Sequence, residues 1–284
     1  MSTPHFGFHT TAEDVAARFS PEMEGKNVLV TGTSLNGIGW ETARVIAKYA
    51  NLVIITGYNA DRLKLTEDAI KKSVPSANLR LLNLDLSSLA AVRKAAAEVN
   101  AYPEPLHAAI TLTVDNLENQ MATDHFGRSS SQAPRAQAPR HGYTHYTPRV
   151  VYVSSASHAF GNGVDFSTLA KSATISTAIE LSKRSGGRMN AYSLHRESSM
   201  EEMKQFGLLN EDGSPSDKLF QWKTIPEGAA TTLVAAFDPG LNDKPGMYLD
   251  DCKEAVIAAH TSNPDICAKL WTATEEIVGE KFEF

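Results

Sequence analysis

Cysteine is scarce in this chain, which has only Cys252 and Cys267 among its 284 residues. Two thiols are too few for a disulfide framework or a cysteine-rich zinc site, so we expect both to be buried free thiols. Histidine offers no metal site either, because the pair His141 and His145 lies in a stretch whose prolines disfavour a rigid helix. The sequence therefore predicts no bound metal ion.

Long apolar runs and a surplus of positive charge are also missing. No apolar stretch reaches the length of a membrane span, and the first residues lack the basic and apolar regions of a signal peptide. The 27 Lys and Arg residues against 33 Asp and Glu give a net charge of −6, which disfavours a nucleic-acid-binding surface. The remaining composition is that of a globular protein. We therefore expect one cytoplasmic domain over residues 1–284.

Apolar stretches of strand length alternate with amphipathic stretches of helix length. Strand patterns cover residues 25–32, 52–56, 79–85, 106–114 and 149–155. Helix patterns cover residues 39–49 and 61–73, a stretch capped by Ser87 or Ser88, and residues 264–279. A capping box of Thr10 and Glu13 predicts an N-terminal helical extension to about Phe19, within residues 1–20. The alternation is typical of right-handed βαβ units and predicts an α/β fold with one doubly wound parallel sheet.

Residues 128–149 interrupt this rhythm. The stretch has four arginines, three prolines and no acidic residue. Prolines remove backbone donors and disfavour helix, so one interpretation is a flexible basic surface loop. The other is a basic lid over an anionic ligand, with Tyr143 or Tyr146 reaching inward.

A glycine-containing turn joins the first strand to the first long helix. Residues 31–39 read Thr-Gly-Thr-Ser-Leu-Asn-Gly-Ile-Gly. Glycines allow a pyrophosphate to approach the backbone N–H groups closely, and the helix start adds favourable dipole charge. The predicted contacts are Gly32, Ser34, Asn36, Gly37, Ile38 and Gly39. The alternative is a structural turn between strand and helix that holds no ligand.

The end of the second strand bears on the choice of dinucleotide. NAD sites place an Asp or Glu there to accept a hydrogen bond from the ribose 2′-hydroxyl. Here Gly57 and Tyr58 occupy those positions, and Asp61 is better placed to cap the next helix. Arg62 and Ser34 are suited to a 2′-phosphate. The sequence therefore favours NADP over NAD.

Several further motifs follow one another in a familiar order. They are residues 83–88 (Asn-Leu-Asp-Leu-Ser-Ser), 121–127 (Met-Ala-Thr-Asp-His-Phe-Gly), 150–158, 222–232 and 246–252. With the glycine turn, they resemble the short-chain dehydrogenase/reductase superfamily, and more closely its retinol-dehydrogenase-like branch with fungal-type members. The resemblance covers residues 6–127 and 149–282. It implies a Rossmann-type fold and NAD(P)-dependent oxidation or reduction, with Asp85 and Leu86 at the adenine.

The same resemblance assigns catalytic positions. In this family a tyrosine is the acid/base, a lysine lowers its pKa and holds the ribose, a serine orients the carbonyl, and an asparagine supports a proton relay. Ser155 matches the serine, and Lys171 matches the lysine. Ser167 stands at the tyrosine position and Asp124 at the asparagine position. An aliphatic hydroxyl is a much weaker acid than a phenol, so Ser167 is a poor proton donor.

Two more departures lie near the same end of the expected site. Residues 110–115 run on where the family has Asn-Asn-Ala-Gly, and residues 195–197 (His-Arg-Glu) replace a His-Pro-Gly turn at the nicotinamide. The adenine and pyrophosphate end thus matches the family, whereas the nicotinamide end departs from it.

Three hypotheses account for this pattern. The first is an active oxidoreductase whose proton donor is His158, Tyr143, Tyr146 or Tyr152. The second is a redox-inactive dinucleotide-binding scaffold, or a catalyst of a non-redox step. The third is a coding-sequence error in residues 111–120, 128–149 and 195–197.

The sequence constrains the substrate and the oligomeric state less than it constrains the fold. Family members act on small lipophilic molecules, including intermediates of secondary metabolism, and the polar stretch around residues 195–222 does not choose among them. The family commonly forms dimers through helices after strands four and five. A homodimer is therefore expected here only if residues 128–149 leave that surface intact.

Overall fold

The computed structural model describes residues 6–111, 146–155, 173–196, 210 and 222–282. Within these ranges eight strands form one sheet. They are β1 (Asn27–Val30), β2 (Leu52–Gly57), β3 (Leu79–Asn83), β4 (Ala108–Thr111), β5 (Arg149–Ser155), β6 (Asn190–Arg196), β7 (Tyr248–Asp250) and β8 (Lys253–Glu254). The order is β3-β2-β1-β4-β5-β6-β7-β8. All neighbouring pairs are parallel except β7 with β8.

This order confirms the doubly wound sheet. Strand β1 lies between β2 and β4, so the chain reverses its direction of travel across the sheet at β1. Val30, for example, is in register with Ile55 on one side and Ile110 on the other. Such a reversal leaves a crevice at the carboxyl ends of the strands, which is where open α/β sheets bind ligands.

Seven helices accompany the strands in the described ranges. They are α1 (Ala12–Met23), α2 (Ile38–Ile46), α3 (Ala60–Ser73), α4 (Leu89–Asn100), α5 (Ala173–Arg184), α6 (Ile225–Phe237) and α7 (Pro264–Val278). Buried side chains of α1, α2, α3 and α6 pack on one face of the sheet, and those of α5 and α7 pack on the other face at β5 and β6. Helix α4 contributes Val92 and Val99 to a further cluster with β2 and β3. Both cysteines are buried free thiols, as predicted.

The helix starts correct two details of the sequence prediction and decide between two alternatives in a third. The first capping box pairs Thr11 with Asp14, not Thr10 with Glu13. The Glu13 carboxylate forms other ion pairs, 2.8 Å from Arg44 of α2 and 2.6 Å from Lys48, which follows the end of that helix. The cap of α3 is Asn59, whose side chain accepts from the Arg62 N–H, so Asp61 lies inside the helix. Of the two serines proposed for α4, Ser88 is the cap.

A buried arginine ends the basic stretch that precedes β5. The Arg149 guanidinium donates to the carbonyl oxygens of Ala235 and Asp238 at 3.1 and 2.7 Å, and to Asn242 Oδ1 at 2.7 Å. These acceptors lie at and beyond the C-terminal end of α6, where helix carbonyls lack partners within the helix. Arg149 therefore fixes the end of α6 against the sheet.

The amino edge of the sheet holds a compact group of titratable side chains. His107 Nδ1 accepts from the Asn27 N–H at 3.0 Å, and its ring packs edge-on against Tyr146 with centroids 5.3 Å apart. Lys26 Nζ lies 3.9 Å from the Tyr146 ring centroid. Burial, with a smaller contribution from Lys26, lowers the pKa of His107 to about 4. Tyr146 thus lies at the edge opposite the carboxyl ends of the strands, and its assignment as an inward-reaching residue of a lid is wrong.

We predict that His107 makes the stability of this protein depend on pH. Its pKa falls from an ordinary 6.5 to about 4 on folding. Between these values the unfolded chain binds a proton that folded His107 does not, so the stabilisation is complete above 6.5 and is lost as pH falls toward 4. His107→Asn keeps an acceptor for the Asn27 amide but does not titrate. Urea unfolding from pH 4 to 7 should show a shallower pH dependence in this variant, by up to about 3 kcal/mol across the window. Equal slopes in both proteins would contradict the assignment.

Candidate dinucleotide-binding site

The turn after β1 opens the crevice at the carboxyl edge. The Thr31 N–H donates to Ile110 O of β4 at 2.9 Å, which prolongs the strand pairing into the turn. Thr33 Oγ1 donates to Thr56 O of β2 at 2.9 Å, and Thr66 Oγ1 of α3 donates to Thr33 O at 3.0 Å. The turn is therefore tied to both neighbouring strands and to the helix beside it.

Two residues of this turn have left-handed backbone conformations. Gly32 has φ of 64° and Asn36 has φ of 61°, the latter in a conformation that asparagine tolerates better than most residues. The Gly37 N–H donates to Ser34 O at 3.0 Å. A Cβ at Gly37 would lie 3.1 Å from that oxygen, so the residue is glycine because the backbone approaches itself closely.

Helix α2 begins without a side-chain cap. Gly37 is its N-cap residue and offers no side-chain acceptor to the first-turn N–H groups, and Ile38 and Gly39 follow directly. The first-turn amides of a helix lack partners within the helix and carry partial positive charge, so they favour an anion. The predicted residues of the turn thus come together at a helix start whose free amides favour an anion, and their contact with a phosphate stays a prediction.

A cavity of about 290 Å³ adjoins the turn at the end of β2. Its lining comprises Thr33, Ser34, Leu35, Thr56, Gly57, Tyr58, Asn59, Arg62, Leu63, Leu65 and Thr66. None of these residues is acidic, and Arg62 is the cation among them. Leu35, Tyr58 and Leu65 are unusually exposed for large apolar side chains, Tyr58 at 59%. The structure therefore brings Ser34 and Arg62 to one cavity, and their contact with a 2′-phosphate stays a prediction.

The third strand ends in a tight polar turn. Asp85 Oδ1 accepts from the Ser87 N–H at 2.9 Å and from Ser87 Oγ at 2.6 Å. Leu86 packs against the apolar cluster formed by β2, β3 and α4. The carboxylate is thus fixed by its own turn, close to where the resemblance expects the adenine.

The nicotinamide end is described only through its backbone strands. Ser155 is the last residue of β5 and is in register with Arg196, the last residue of β6. Both therefore lie at the carboxyl edge. Residues 195 and 196 continue the strand, so the first two residues of the sequence that replaces the family's His-Pro-Gly turn are extended backbone. Asp124, His158, Ser167, Lys171 and Tyr143 lie outside the described residues.

Tyr152 is a core residue. It is 4% exposed and belongs to the cluster under α5 and α7, as its mid-strand position indicated. Of the alternative proton donors, the structure therefore removes Tyr146 and Tyr152.

Some features of this site were not predicted from the sequence. Tyr58, Leu63, Leu65 and Thr66 line the cavity although none was proposed as a site residue. The signal was available in part, because Thr66 follows Arg62 by four residues and so lies on the same side of α3. The hydrogen bonds from Thr33 to β2 and from Thr66 to Thr33 depend on tertiary packing.

Comparison with known proteins gives a consistent picture. No family model matches the chain. It is 27% identical to short-chain dehydrogenase TIC 32 A, chloroplastic, of Brassica napus, over 96% of this chain and 94% of that protein. It is 28% identical to short-chain dehydrogenase/reductase prx1 of Penicillium rubens (88% and 84% covered) and 26% identical to human retinol dehydrogenase 12 (94% and 90% covered).

Solved structures agree at the level of the fold. A putative short chain dehydrogenase from Pseudomonas syringae superposes with a TM-score of 0.61 at 18% identity, covering 88% of this chain and all of that one. The oxidoreductase yciK from E. coli gives 0.61 at 20% identity, covering 82% and 97%. The chain is thus similar in sequence to short-chain dehydrogenases/reductases and shares the fold of solved short-chain dehydrogenases, in agreement with the resemblance of its motifs. The retinol-dehydrogenase-like branch suggested by its motifs is represented among these relatives.

The similarity supports an oxidoreductase by family resemblance, and short-chain dehydrogenases/reductases bind an NAD(P) dinucleotide. The described residues fit an NAD(P) dinucleotide for two reasons. The start of α2 has no side-chain cap, and the turn before it has the close backbone contact at Gly37 described above. Within the ranges described, no helix is long and apolar enough to cross a membrane. The same ranges contain no group of three or more metal-ligating side chains.

We predict that Gly37→Ala lowers the affinity for a dinucleotide more than it lowers the stability of the folded protein. The added methyl group would press on Ser34 O and displace the turn that approaches the phosphates. We expect NADPH affinity, measured by fluorescence titration, to fall by about tenfold or more, as expected when a close backbone contact is lost. Gly186→Ala is the matched control, because φ of 58° strains this position although the space around it is open. The control should lower the melting temperature and leave NADPH affinity unchanged. A variant pair with equal affinities would contradict the role of the turn.

Proposed function

We propose that this short-chain dehydrogenase/reductase uses NADP(H) to interconvert a carbonyl and an alcohol on a small lipophilic or secondary-metabolite substrate. The observation that carries the cofactor preference is the cavity at the end of β2. Among the residues that the structure describes, its lining includes Arg62 and Ser34 and no carboxylate. A 2′-phosphate needs a cation and hydrogen-bond donors there, whereas a free 2′-hydroxyl is held by an acidic residue.

The ion pairs along α3 support Arg62 as the phosphate ligand. Lys64 is 2.8 Å from Glu67 and 2.7 Å from Asp68, and Lys71 is 2.6 Å from Glu67. These lysine charges are therefore balanced within the helix. Arg62 has no ion pair with a carboxylate in the described part of the chain, and it lies in the first turn of α3, where the helix dipole also favours an anion.

The proposed chemistry at the nicotinamide end follows from the catalytic positions that the family resemblance assigns. When bound, NADPH would be the source of the hydride that a carbonyl carbon receives. This chain must then orient the carbonyl oxygen and deliver a proton to it. Ser155 is the proposed orienting hydroxyl, and Lys171 the proposed ribose ligand. Ser167 and Asp124 occupy the remaining catalytic positions, and His158 and Tyr143 stay as candidate proton donors.

A second candidate function is dinucleotide binding without hydride transfer. It is favoured by the serine at position 167, because an alcohol cannot release a proton near neutral pH as a lysine-activated phenol can. The adenine half of the site does not depend on that residue. Binding and turnover therefore have to be measured separately.

We predict that Arg62→Met discriminates between the two dinucleotides. Loss of the guanidinium should lower NADPH affinity by about tenfold and leave NADH affinity within about twofold, because only NADPH carries the 2′-phosphate. Lys71→Met is the control, since it removes a cation from the same helix outside the cavity. Dissociation constants by fluorescence titration at fixed ionic strength provide the measurement. Equal losses for both dinucleotides would contradict the proposed preference.

We predict that Ser167→Tyr raises turnover. A tyrosine there, with Lys171 four residues later, restores the family's acid and the cation that stabilises its anion. NADPH oxidation with a panel of ketones and aldehydes should be faster in the variant by about a hundredfold, the usual scale of general acid catalysis. Ser167→Phe, which adds the ring without the hydroxyl, is the control. If the unmodified chain already turns over as fast as Ser167→Tyr, another residue donates the proton.

A further inference from the structure

Three segments that are distant in sequence meet beside the dinucleotide-binding turn. They are the N-terminal residues 6–11, the entry to α6 at residues 223–228, and the turn between β7 and β8 at residues 250–253. We call the contacts of Phe8, His9, Lys223, Glu227 and Asp251 the N-terminal clasp. Its members lie up to about 240 residues apart along the chain.

The centre of the clasp is a buried lysine. The Lys223 side chain is 8% exposed, its Nζ forms an ion pair with Asp251, and it lies 4.8 Å from the centroid of the Phe8 ring. A cation over an aromatic face is attracted more strongly when water is excluded. The Phe8 ring therefore binds the cation of this ion pair.

A second contact joins the same N-terminal segment to α6. His9 Nδ1 lies 2.9 Å from Glu227 Oε1. The other oxygen of Glu227 accepts from the Thr224 N–H at 2.7 Å and from Thr224 Oγ1 at 2.8 Å, which completes the capping box of α6. The N-terminal segment thus contacts the carboxylate that fixes where α6 begins.

The turn between β7 and β8 is held from the other side. Asp251 and Cys252 have φ of 47° and 63°, a left-handed conformation that non-glycine residues rarely adopt. The Cys252 N–H donates to Thr231 Oγ1 of α6 at 3.1 Å. Such a conformation persists only where surrounding contacts hold it. Here those contacts are Lys223 and α6.

One packing contact connects the N-terminal clasp to the proposed dinucleotide site. A Cβ at Gly228 would lie 3.2 Å from Ile38 Cδ1, so the first turn of α6 packs directly on the first residue of α2. Ile38 follows Gly37, the N-cap residue of the helix start that faces the strand ends. A shift of α6 at its entry would therefore move the amides proposed to bind the pyrophosphate.

We infer that Phe8 and Lys223 are positioning residues for dinucleotide binding, acting through Glu227, Gly228 and Ile38. The inference rests on the proposed function, since it assumes that the uncapped start of α2 receives the pyrophosphate. It assigns the N-terminal segment a role in cofactor affinity, although none of its residues lines the site.

The test compares matched substitutions in the N-terminal segment. Phe8→Leu keeps apolar bulk but removes the aromatic face, and Phe8→Tyr keeps the face. Phe6→Leu makes the same change at a ring that packs on Phe19, 5.9 Å away, instead of on Lys223. We expect Phe8→Leu to weaken NADPH binding by about 3- to 30-fold, the usual range for coupling through packed contacts. Phe8→Tyr and Phe6→Leu should bind NADPH as the unmodified chain does.

A double-mutant cycle tests whether Phe8 acts on the site through the contact between Gly228 and Ile38. Ile38→Val removes the Cδ1 atom that contacts Gly228 and leaves the backbone of the turn in place. If α6 acts through this contact, Phe8→Leu has little further effect in the Ile38→Val background. Full additivity of the two substitutions would overturn the route. An unchanged NADPH affinity in Phe8→Leu, with faster amide exchange confined to residues 6–19, would overturn the inference.

Amide hydrogen exchange distinguishes failure of the inference about the N-terminal clasp from failure of the proposed function. The N–H groups of Gly37 and Glu41 are hydrogen-bonded within the turn and the first turn of α2. If the unmodified chain binds no NADPH, the proposed function fails. The clasp is then supported by faster exchange of these two amides in Phe8→Leu without ligand, and overturned by unchanged exchange.

Discussion

The reversal of strand order at β1 is the constraint from which the rest of the site follows. Because β2 and β4 flank β1 on opposite sides, a crevice opens at the carboxyl ends of these strands. The turn that enters α2 must cross the rim of this crevice. It is fixed there by hydrogen bonds to Thr56 of β2 and Ile110 of β4. An exposed loop of glycines and short polar residues is thereby held by the two strands that form the crevice.

The elements that could be predicted from sequence are those determined by local pattern. Apolar runs at residues 52–56 and 149–155 mark strands buried on both faces, and the glycine turn marks the change from strand to helix. The helix caps were predicted less well, because neighbouring residues compete for them. Glu13 is as good a partner for a cap as Asp14 by sequence, but its carboxylate binds Arg44, 31 residues away. No local pattern contains that contact.

The same reasoning applies to the site. Arg62 and Ser34 could be predicted because each lies a short distance from a strand end. Tyr146 was misplaced because the chain before β5 has no periodicity that fixes its register, and the ring is held by Lys26 and His107 at the opposite edge. The contact between His9 and Glu227 joins residues 218 positions apart. Contacts of this kind depend on the completed fold and leave no pattern in a single sequence.

The two halves of the site separate binding from chemistry. In the proposed function, affinity for a dinucleotide comes from the turn, the helix start and the cavity at β2, whereas rate comes from groups that stabilise the transition state at the nicotinamide. A chain can therefore retain the first set of residues while substituting the second. This division makes Ser167 compatible with an otherwise complete dinucleotide-binding fold.

The buried cysteines have a practical consequence for work with this protein. Burial raises the pKa of Cys252 to about 11, although its contact with Thr231 acts in the opposite direction. At neutral pH only about one molecule in ten thousand would then carry the reactive thiolate at this position. Alkylating reagents should therefore modify Cys252 only when the β7–β8 turn opens away from α6. The natural thiol is thus a built-in probe of local opening, and the rate of its modification reports how often that turn separates from the helix.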